Sequence, residues 1–590
     1  RLIMPRLGLG SSLTGGAVSD EPKFVSTWLT TSSTETIALP LSSHASFETI
    51  VVNWGDGSSD TITAYDDAEG SHEYTDGAGT KTITITGNIY GMNWYTGASA
   101  ATHRAKLKTI TSWGGFVMSG YQVFRSCTGL TAITASDAPT IATTSFQYML
   151  RGCSALTDIN QGEGEGDTWD VSSVTNFYLC FSGNVLFDGS VNTWDVSSGT
   201  NFHSCFSSCY VYNQPMNNWR FPTSGTINFT SMLQECRLFN QDISDWNTVR
   251  VTDMTSFLYA SPVWNNGGEA LPQVTGKWDV SNVVTFNGAF RGTAFNQSVA
   301  DWDTGSATNM YRMFRDVTEF NQDVSHFDTA EVTNMSYMFY GCHAFNQAIP
   351  TDGNNWNTAA VTTFTYMFRD ARAFNQDISS WDVGEALYMT SMFYNADAFN
   401  QDIGNWDVAK VIGMGTMFDQ AAAFNQDISD WETGACTIML GMFQNASSFN
   451  TAIPTSGAKW DVSNVTNMNA MFLGSPFNQD LSSWDVSKVT DMSYMFYNVA
   501  EFNQDISGWD VNQVTSFGNF LTNNTDLSTA NYNKLLHYWH ADDPVDSLTF
   551  HGGDATTDSS SGGVDGTAAR AALVLATGSG GDGWTITDGD

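Results

Sequence analysis

The sequence predicts a repeat solenoid with one short parallel strand in each coil of about 25 residues, preceded by a small β-sandwich. Three observations predict this fold. A motif that runs from Phe-Asn-Gln-Asp to Trp-Asp-Val recurs along most of the chain, its apolar positions keep fixed spacings, and an N-terminal segment alternates Thr with Ile. A unit this short cannot bury its own apolar side, so it must stack on its neighbours.

Composition limits the classes of partner. The chain has 590 residues, with 23 Lys and Arg against 61 Asp and Glu, and a formal net charge of −38. Nucleic-acid binding needs a basic footprint, and so does docking on anionic lipid. No apolar run reaches the roughly 18 residues that span a bilayer. We therefore expect no nucleic-acid partner and no direct membrane insertion.

Residues 1–22 are predicted to form a docking arm. The segment has no helix or strand period, so it cannot bury enough surface to order itself. Its assembly candidates are Arg1, Leu2, Ile3, Arg6, Leu7 and Leu9. Residues 1–20 resemble the Gly/Leu-rich leaders of some bacteriophage virion proteins. If the arm is ordered, neighbouring structural subunits must hold it, so these are its expected partners, and a disordered tail is the alternative.

Residues 23–91 carry the strand and turn signals of a small β domain. The run Val51-Val52-Asn53-Trp54-Gly55-Asp56-Gly57 is followed by an alternating Thr/Ile run, Lys81-Thr82-Ile83-Thr84-Ile85. The segment resembles a polycystic-kidney-disease (PKD) domain, which implies an immunoglobulin-like sandwich used as a spacer in extracellular proteins. Asn53, Asp56 and Asp60 are candidate Ca²⁺ ligands, with a purely structural turn as the alternative.

The repeats fill residues 92–520. Residues 92–164 are degenerate and keep only a Leu-x-x-Ile core, whereas residues 165–520 are regular. The spacing Ile-x-x-Trp-x-Val is that of a leucine-rich-repeat strand, and it predicts the strand near Trp-Asp-Val. The full pattern, F-N-Q-D-I-S-x-W-D-V-S-x-V-T-x-M-x-x-M-F, resembles the BspA-like leucine-rich-repeat surface proteins. That resemblance implies an extracellular location on a cell surface or a virion surface.

Residues 521–590 depart from the repeat and are predicted to be a C-terminal cap. A solenoid without a cap exposes its last apolar coil and an open strand edge. A few repeats upstream are longer than the rest because of insertions at 260–277, 349–355 and 453–459. Pro and Gly in these insertions predict loops on one edge of the solenoid.

Two residues that recur at fixed positions of the repeat, Trp and Asn, are predicted to have structural roles. Each set of equivalent positions in successive coils is called a column. The Trp column alternates with Val, so both side chains are expected to point into the core. The Asn of Phe-Asn-Gln recurs in most of the regular coils, for example at Asn375, Asn400 and Asn425. Unpaired buried amides are costly, so these Asn residues are expected to form a buried ladder that satisfies turn backbone groups.

The Asp that follows Trp forms a column expected to face solvent. Asp382, Asp407, Asp485 and Asp510 are the candidate ligand-binding residues of this column. Stacked carboxylates repel one another by roughly 0.8 kcal/mol per pair in water, and bound cations relieve that repulsion. Weak Ca²⁺ binding is therefore one expectation, although no cofactor is required and no EF-hand loop is present.

The sequence carries no recognisable catalytic motif. It has no G-x-S-x-G, no P-loop and no H-E-x-x-H, so we expect no catalytic residues and no enzymatic activity. The expected function is adhesion or recognition at a cell envelope or virion, in the manner of a phage tail fibre. The long acidic solenoid would bind a host-surface protein or glycan. The alternative is a purely structural virion or filament subunit.

Overall fold

The computed structural model of the protein describes residues 21–94, 100–160, 169–274, 276–349, 355–541, 545–575 and 581–589. Its strands are β1 (Lys23–Thr30), β2 (Glu35–Ala38), β3 (Ile50–Asn53), β4 (Ser59–Ile62), β5 (Ser71–Tyr74), β6 (Gly79–Thr86), β7 (Ile89–Tyr90), β8 (Leu107–Ser112), β9 (Phe116–Met118), β10 (Ala132–Ile133), β11 (Thr140–Ile141), β12 (Asp158–Ile159), β13 (Ile227–Asn228), β14 (Val251–Asp253), β15 (Thr549–His551) and β16 (Thr585–Thr587). Its α-helices are α1 (Ala100–Lys106), α2 (Thr529–Ala541) and α3 (Gly566–Val574).

The N-terminal region is built from antiparallel strands. β1 pairs with β6, β6 with β3, and β3 with β4, while β2 and β5 form a separate antiparallel pair. The alternation read from the sequence is present, because every second residue of β1 is buried, including Phe24 and Trp28. Trp28 stacks on Trp94, with ring centroids 5.6 Å apart.

The N-terminal strands and the first coils share one sheet. β8 pairs antiparallel with β1 on one side and parallel with β10 on the other, and β10 continues parallel to β12. A three-stranded parallel sheet, β7-β9-β11, runs beside it. Asp137 holds the connection between β8 and β9 in place, because its carboxylate accepts hydrogen bonds from the backbone N–H groups of Trp113 and Gly114.

A repeat solenoid of parallel contacts follows these strands. In most coils the strand is reduced to a single parallel bridge, and successive bridges join Asn309, Asn334, Thr363, Tyr388 and Gly413. Each bridge lies directly after Val-Thr or its equivalent, several residues downstream of Trp. The expectation of a strand centred on Trp-Asp-Val is therefore wrong, because that tripeptide lies between two turns, as in Trp406–Val408, and the ladder forms only after the second turn.

Left-handed residues explain why the strand is so short. Each coil from Gln122 to Asn523 contains two positions of positive φ four residues apart, such as Tyr337 (φ 61°) and Gly341 (φ 71°). Between them, alternate N–H groups donate to the next coil or back to the carbonyl three residues earlier. Phe339 N–H, for example, donates to Met367 O (3.0 Å), and Tyr340 N–H donates to Tyr337 O (3.2 Å). Extended backbone cannot propagate through such a segment.

The solenoid core is aromatic. Two Phe columns pack within each coil and between coils, as in Phe393–Phe399 (ring centroids 3.9 Å apart) and Phe393–Phe418 (5.7 Å). Two Met columns are fully buried beside them, for example at Met389 and Met392. Stacked rings of this kind contribute about 0.5–1.5 kcal/mol per pair beyond the area they bury.

The C-terminal cap covers the last coil. Phe517 packs against three aromatic rings of the cap, those of Trp539 (centroid distance 5.1 Å), Trp584 (5.7 Å) and Phe550 (5.9 Å). Phe517 also forms a parallel bridge with Phe550, which continues the ladder into β15. The apolar end of the solenoid is thereby withdrawn from water.

The insertions differ from one another. Residues 260–265 continue the repeat: Ala260 takes a left-handed position, Trp264 the Phe position and Asn265 the Asn position. The insertion therefore starts later than the sequence suggested. The loop at 453–459 lies over the preceding coil, where Lys459 forms an ion pair with Asp430. Most of the 349–355 loop lies outside the described residues.

Candidate functional site

The Trp column lies inside the solenoid and is not a ligand platform. Trp406 and Trp431 are buried, and their indole N–H groups donate to the carbonyls of Ile378 (3.2 Å) and Ile403 (2.9 Å) in the preceding coil. The same bond recurs along the regular repeats. The prediction that Trp is a core residue is confirmed.

The Asn ladder has the role that the sequence predicted. Asn400 Oδ1 accepts hydrogen bonds from the backbone N–H of Asn425 (3.0 Å) and from the side-chain amide of Gln426 (2.9 Å) in the next coil. The saturation of turn backbone groups is confirmed. The ladder is nevertheless half-buried rather than buried, since Asn400 remains partly accessible and Asn425 is exposed.

Asp382, Asp407, Asp485 and Asp510 are all exposed. Each turns one carboxylate oxygen onto the backbone N–H two residues later, as Asp382 does with Gly384 (3.0 Å). Hydrogen bonds from Ser487 lower the pKa of Asp485. The column therefore stabilises a turn in each coil.

The structure brings Asp382 and Asp407 close together on neighbouring coils. A β-carbon at Gly384 would lie 3.3 Å from Asp382 Oδ1 and 3.5 Å from Asp407 Oδ2. Two cavities lie beside Asp407, with volumes of about 380 Å³ and 250 Å³. Trp406 and Asp430 line both of them, and their other lining residues include further Asp and Glu side chains. Within the described part of the chain, no three His, Cys, Asp or Glu side chains are arranged to hold a metal ion.

Asn53, Asp56 and Asp60 lie around the Gly-Asp-Gly turn, each with a local hydrogen bond. Asn53 Oδ1 accepts from Gly55 N–H (2.9 Å), and Asp60 Oδ2 accepts from the indole N–H of Trp54 (2.7 Å). Asp56 accepts from the backbone of Ser58 (2.9 Å) and lies 2.7 Å from His72 Nε2. Burial opposes ionisation of Asp56, but these hydrogen bonds hold its pKa well below the usual range.

The cysteines and the predicted docking arm are the two remaining groups of candidate residues. The cysteines in the described part of the chain are buried, and Cys342 donates its thiol to Phe314 O (3.1 Å). Burial raises the pKa of Cys342 and of Cys209, so these thiols behave as core residues. The arm residues Arg1, Leu2, Ile3, Arg6, Leu7 and Leu9 lie outside the described residues.

Sequence reasoning missed one surface, which combines arginine with tyrosine. We name it the Tyr/Arg face. It consists of Tyr259, Arg291, Tyr311, Arg312, Arg315, Tyr337, Tyr340, Tyr366, Arg369 and Tyr394, all of them half-buried. These residues occupy the variable positions around the buried Met-Phe pair, so a search for constant positions passes over them. The signal that could have found them is the recurrence of Arg and Tyr at one position of successive repeats.

On this face the guanidinium groups lie over tyrosine rings. The distances from Arg Cζ to the ring centroid are 4.6 Å for Arg291 on Tyr259, 4.4 Å for Arg312 on Tyr311, 4.6 Å for Arg315 on Tyr340 and 3.9 Å for Arg369 on Tyr394. Contacts of this kind contribute about 0.5–1 kcal/mol each at exposed sites. The arginines are thus held in place by ring faces.

Few carboxylates neutralise this face. Asp316 Oδ2 lies 3.2 Å from Arg315 Nε and 3.7 Å from Arg291 Nε, and Asp370 Oδ2 lies 3.5 Å from Arg369 Nε. Arg312 forms no ion pair with any residue that the structure describes. The face is therefore positively charged, on a chain whose net charge is −38.

Asp419 follows Tyr394 at the equivalent position of the next coil. It is 3% exposed, and its Oδ1 has no hydrogen-bond partner among the described residues. Burial raises the pKa of Asp419 to about 7. The acid that ends this column is consequently only partly ionised near neutral pH.

Comparison with known proteins identifies the repeats. No curated protein and no solved structure matches the chain. Among the described helices, none is long and apolar enough to cross a bilayer. A family model described as "Mycoplasma protein of unknown function, DUF285" matches residues 144–271, 266–353, 348–456 and 414–539. These segments overlap and run through the whole regular solenoid, so the expectation of a repeat family is confirmed, and the chain belongs to the DUF285 family.

Proposed function

We propose that the protein is a non-enzymatic surface protein of a cell envelope or virion that recognises a host protein or glycan through its solenoid. The observation that carries this proposal is that equivalent side chains stay at the surface of successive coils, as do Asp382, Asp407, Asp485 and Asp510. Repetition produces long surfaces on which many weak contacts add up, and such surfaces suit extended partners.

The same proposal includes the class of repeat, the type of N-terminal domain and a weakly bound cation. The F-N-Q-D-I-S-x-W-D-V motif supports a BspA-like, leucine-rich-repeat-like solenoid at an extracellular location. The Gly-Asp-Gly turn and the antiparallel strands β1, β3, β4 and β6 support a PKD-like sandwich that serves as a spacer. The acidic column with Asp382 and Asp407 remains a candidate surface for weakly bound Ca²⁺.

A purely structural virion or filament subunit is the second candidate. The continuous stack of Phe rings favours it, because a core with the same packing in every coil gives a stiff rod. In that case residues 1–22 would dock on neighbouring subunits and the cap would be distal.

Two measurements separate the candidates. Saturable binding of the labelled full chain to host cells is expected for a recognition protein. For a structural subunit, electron microscopy of native particles would show it as an integral part, and deletion of residues 1–20 would abolish its incorporation. Absence of cell binding, with the chain built into particles, would refute the recognition proposal.

A further inference from the structure

We propose that the Tyr/Arg face binds a linear acidic polysaccharide laid along the axis of the solenoid. This inference rests on the proposed recognition function and names both the surface and the class of ligand. The face spans the consecutive coils from Tyr259 to Tyr394.

Charge is the first argument. Among the described residues, the ion pairs of Arg291, Arg315 and Arg369 are with Asp316 and Asp370, and Arg312 forms none. The chain as a whole has 61 Asp and Glu against 23 Lys and Arg, so its net charge repels a polyanion and a cluster of arginines offers a local site of attraction. An anionic ligand would therefore be directed to one surface in one orientation.

Geometry is the second argument. Arg315 and Arg369 occupy the same position two coils apart, with Tyr340 between them, which places them about 10 Å apart at the spacing of parallel strands. That distance is comparable to the repeat of a disaccharide. Neighbouring Tyr rings continue from coil to coil, as in Tyr311–Tyr337 (5.6 Å) and Tyr337–Tyr366 (4.6 Å). A linear polymer with a regular anionic group fits this repetition.

Preorganisation is the third argument. Each guanidinium group rests on a tyrosine ring, so little side-chain freedom is lost on binding. The planar fork of arginine matches carboxylate and sulfate groups through paired hydrogen bonds. Asp419, the next residue in the column, is buried and only partly ionised near neutral pH, so it adds little repulsion.

A second copy of the chain suits the face less well. Its Asp columns have the same coil repeat, but pairing the two surfaces would bring a second body of charge −38 against the first. A flexible polymer can contact the face alone. Self-association is therefore an outcome of the test rather than the proposal.

The test measures binding of the full chain to heparin, which carries carboxylate and sulfate groups, to neutral dextran and to single-stranded DNA. The variant R315Q/R369Q removes two charges from the face and keeps polar side chains there. The matched control K410Q/K488Q removes two charges from exposed residues elsewhere on the solenoid. R315K/R369K keeps the charge and loses the fork. Thermal melts establish that every variant is folded.

We expect heparin affinity to fall at least tenfold in R315Q/R369Q, several-fold in R315K/R369K and less than twofold in the control. Dextran should not bind, and DNA should bind more weakly than heparin. Equal losses in face and control variants, or equal binding of DNA, would overturn the proposal. So would salt-sensitive self-association that R315Q/R369Q abolishes. Host-cell binding that persists undiminished in R315Q/R369Q would refute the role of the Tyr/Arg face in binding and leave the proposed recognition function intact.

Discussion

The regular solenoid and the C-terminal cap are stabilised in different ways. In the solenoid every contact has a copy in the next coil, as with the indole bonds of Trp406 and Trp431. In the cap, the side chain of Asp588 is fully buried. It accepts hydrogen bonds from Tyr532 Oη (2.5 Å), Arg570 Nε (2.8 Å) and Arg570 Nη2 (2.7 Å).

The two regions should respond differently to the loss of a single contact. A coil that loses one contact still has intact neighbours on both sides, so the loss should stay local. Within the described cap, the contacts of Asp588 are not repeated by an equivalent residue. Asp588 follows β16 directly and links it to α2 through Tyr532 and to α3 through Arg570. Stability should therefore be distributed in the solenoid and concentrated in the cap.

The largest effect is expected from Trp406→Ala. The substitution removes a buried indole and its hydrogen bond to Ile378, at a cost of about 4 kcal/mol. Native-state hydrogen exchange should show the lost protection confined to the adjacent coils. Trp406→Phe, the matched control, should cost less than half as much. Loss of protection throughout the solenoid would contradict the local model.

Asp588→Ala should cost about 3 kcal/mol, because it removes the buried carboxylate that pairs with the Arg570 guanidinium. We expect the amides of α3 and β16 to lose protection together, whereas those of coils before Phe477 keep theirs. Asp546→Ala, at an exposed position in the cap, is the control and should have little effect. Retained protection in α3 would show that the cap does not depend on this one group.

Asn400→Ala tests the ladder between coils. The change removes the acceptor of Asn425 N–H and leaves the Gln426 amide only the Asn400 backbone carbonyl, which should cost about 2 kcal/mol in urea denaturation. Asn405→Ala in the same coil removes a single exposed bond to Ser379 and should cost about 0.5 kcal/mol. Equal costs for the two variants would mean that the ladder adds nothing beyond a surface hydrogen bond.

Among the described residues, Asp419 Oδ1 is buried without a hydrogen-bond partner. Its pKa is about 7 in the folded chain and about 4 when unfolded. The folded state therefore retains a proton that the unfolded state loses between about pH 4 and 7, and stability falls as pH rises through that window. Asp419→Asn should be more stable than the parent at pH 8, where the parent must lose the proton from a buried carboxyl, and unchanged at pH 4. Melting temperatures at both pH values measure this, and an equal gain at pH 4 would exclude titration as the cause.

The smallest effect concerns the left-handed positions. Ala470 has a φ of 56°, so Ala470→Gly should relieve strain and stabilise the chain by about 0.5–1 kcal/mol. Ala446, which is buried and does not adopt positive φ, is the control, and Ala446→Gly should destabilise by about 1 kcal/mol. If both variants lose stability, the local contacts of Ala470 outweigh its strain.

The sequence predicts the columns well and the backbone poorly. Trp406 and Asn400 recur at constant spacing, and burial and unsatisfied amides then dictate their roles. The strand was misplaced because Trp-x-Val and Val-Thr-x both have strand character, and the choice depends on hydrogen bonds between coils. Left-handed residues such as Tyr337 and Thr416 carry no glycine signal, so their conformation cannot be read from residue type.

The candidate site shows the same division. Asp382 and Asp407 were expected to stack on adjacent coils, and the structure places them on either side of Gly384. The Tyr/Arg face was missed because its residues occupy positions that vary between repeats. Arg315 and Tyr340 become neighbours only when successive coils are stacked, so their association depends on the fold rather than on any local motif.

The Asn ladder has a consequence for how such a protein changes in length. Each rung needs only an Asn and a backbone N–H one coil away, whatever the other residues of those coils are. A duplicated or deleted coil would therefore meet the same partner on both sides and fit without a new interface. Unequal recombination between repeats can then lengthen or shorten the rod one coil at a time. The length of the molecule is then set by the number of repeats encoded in the gene.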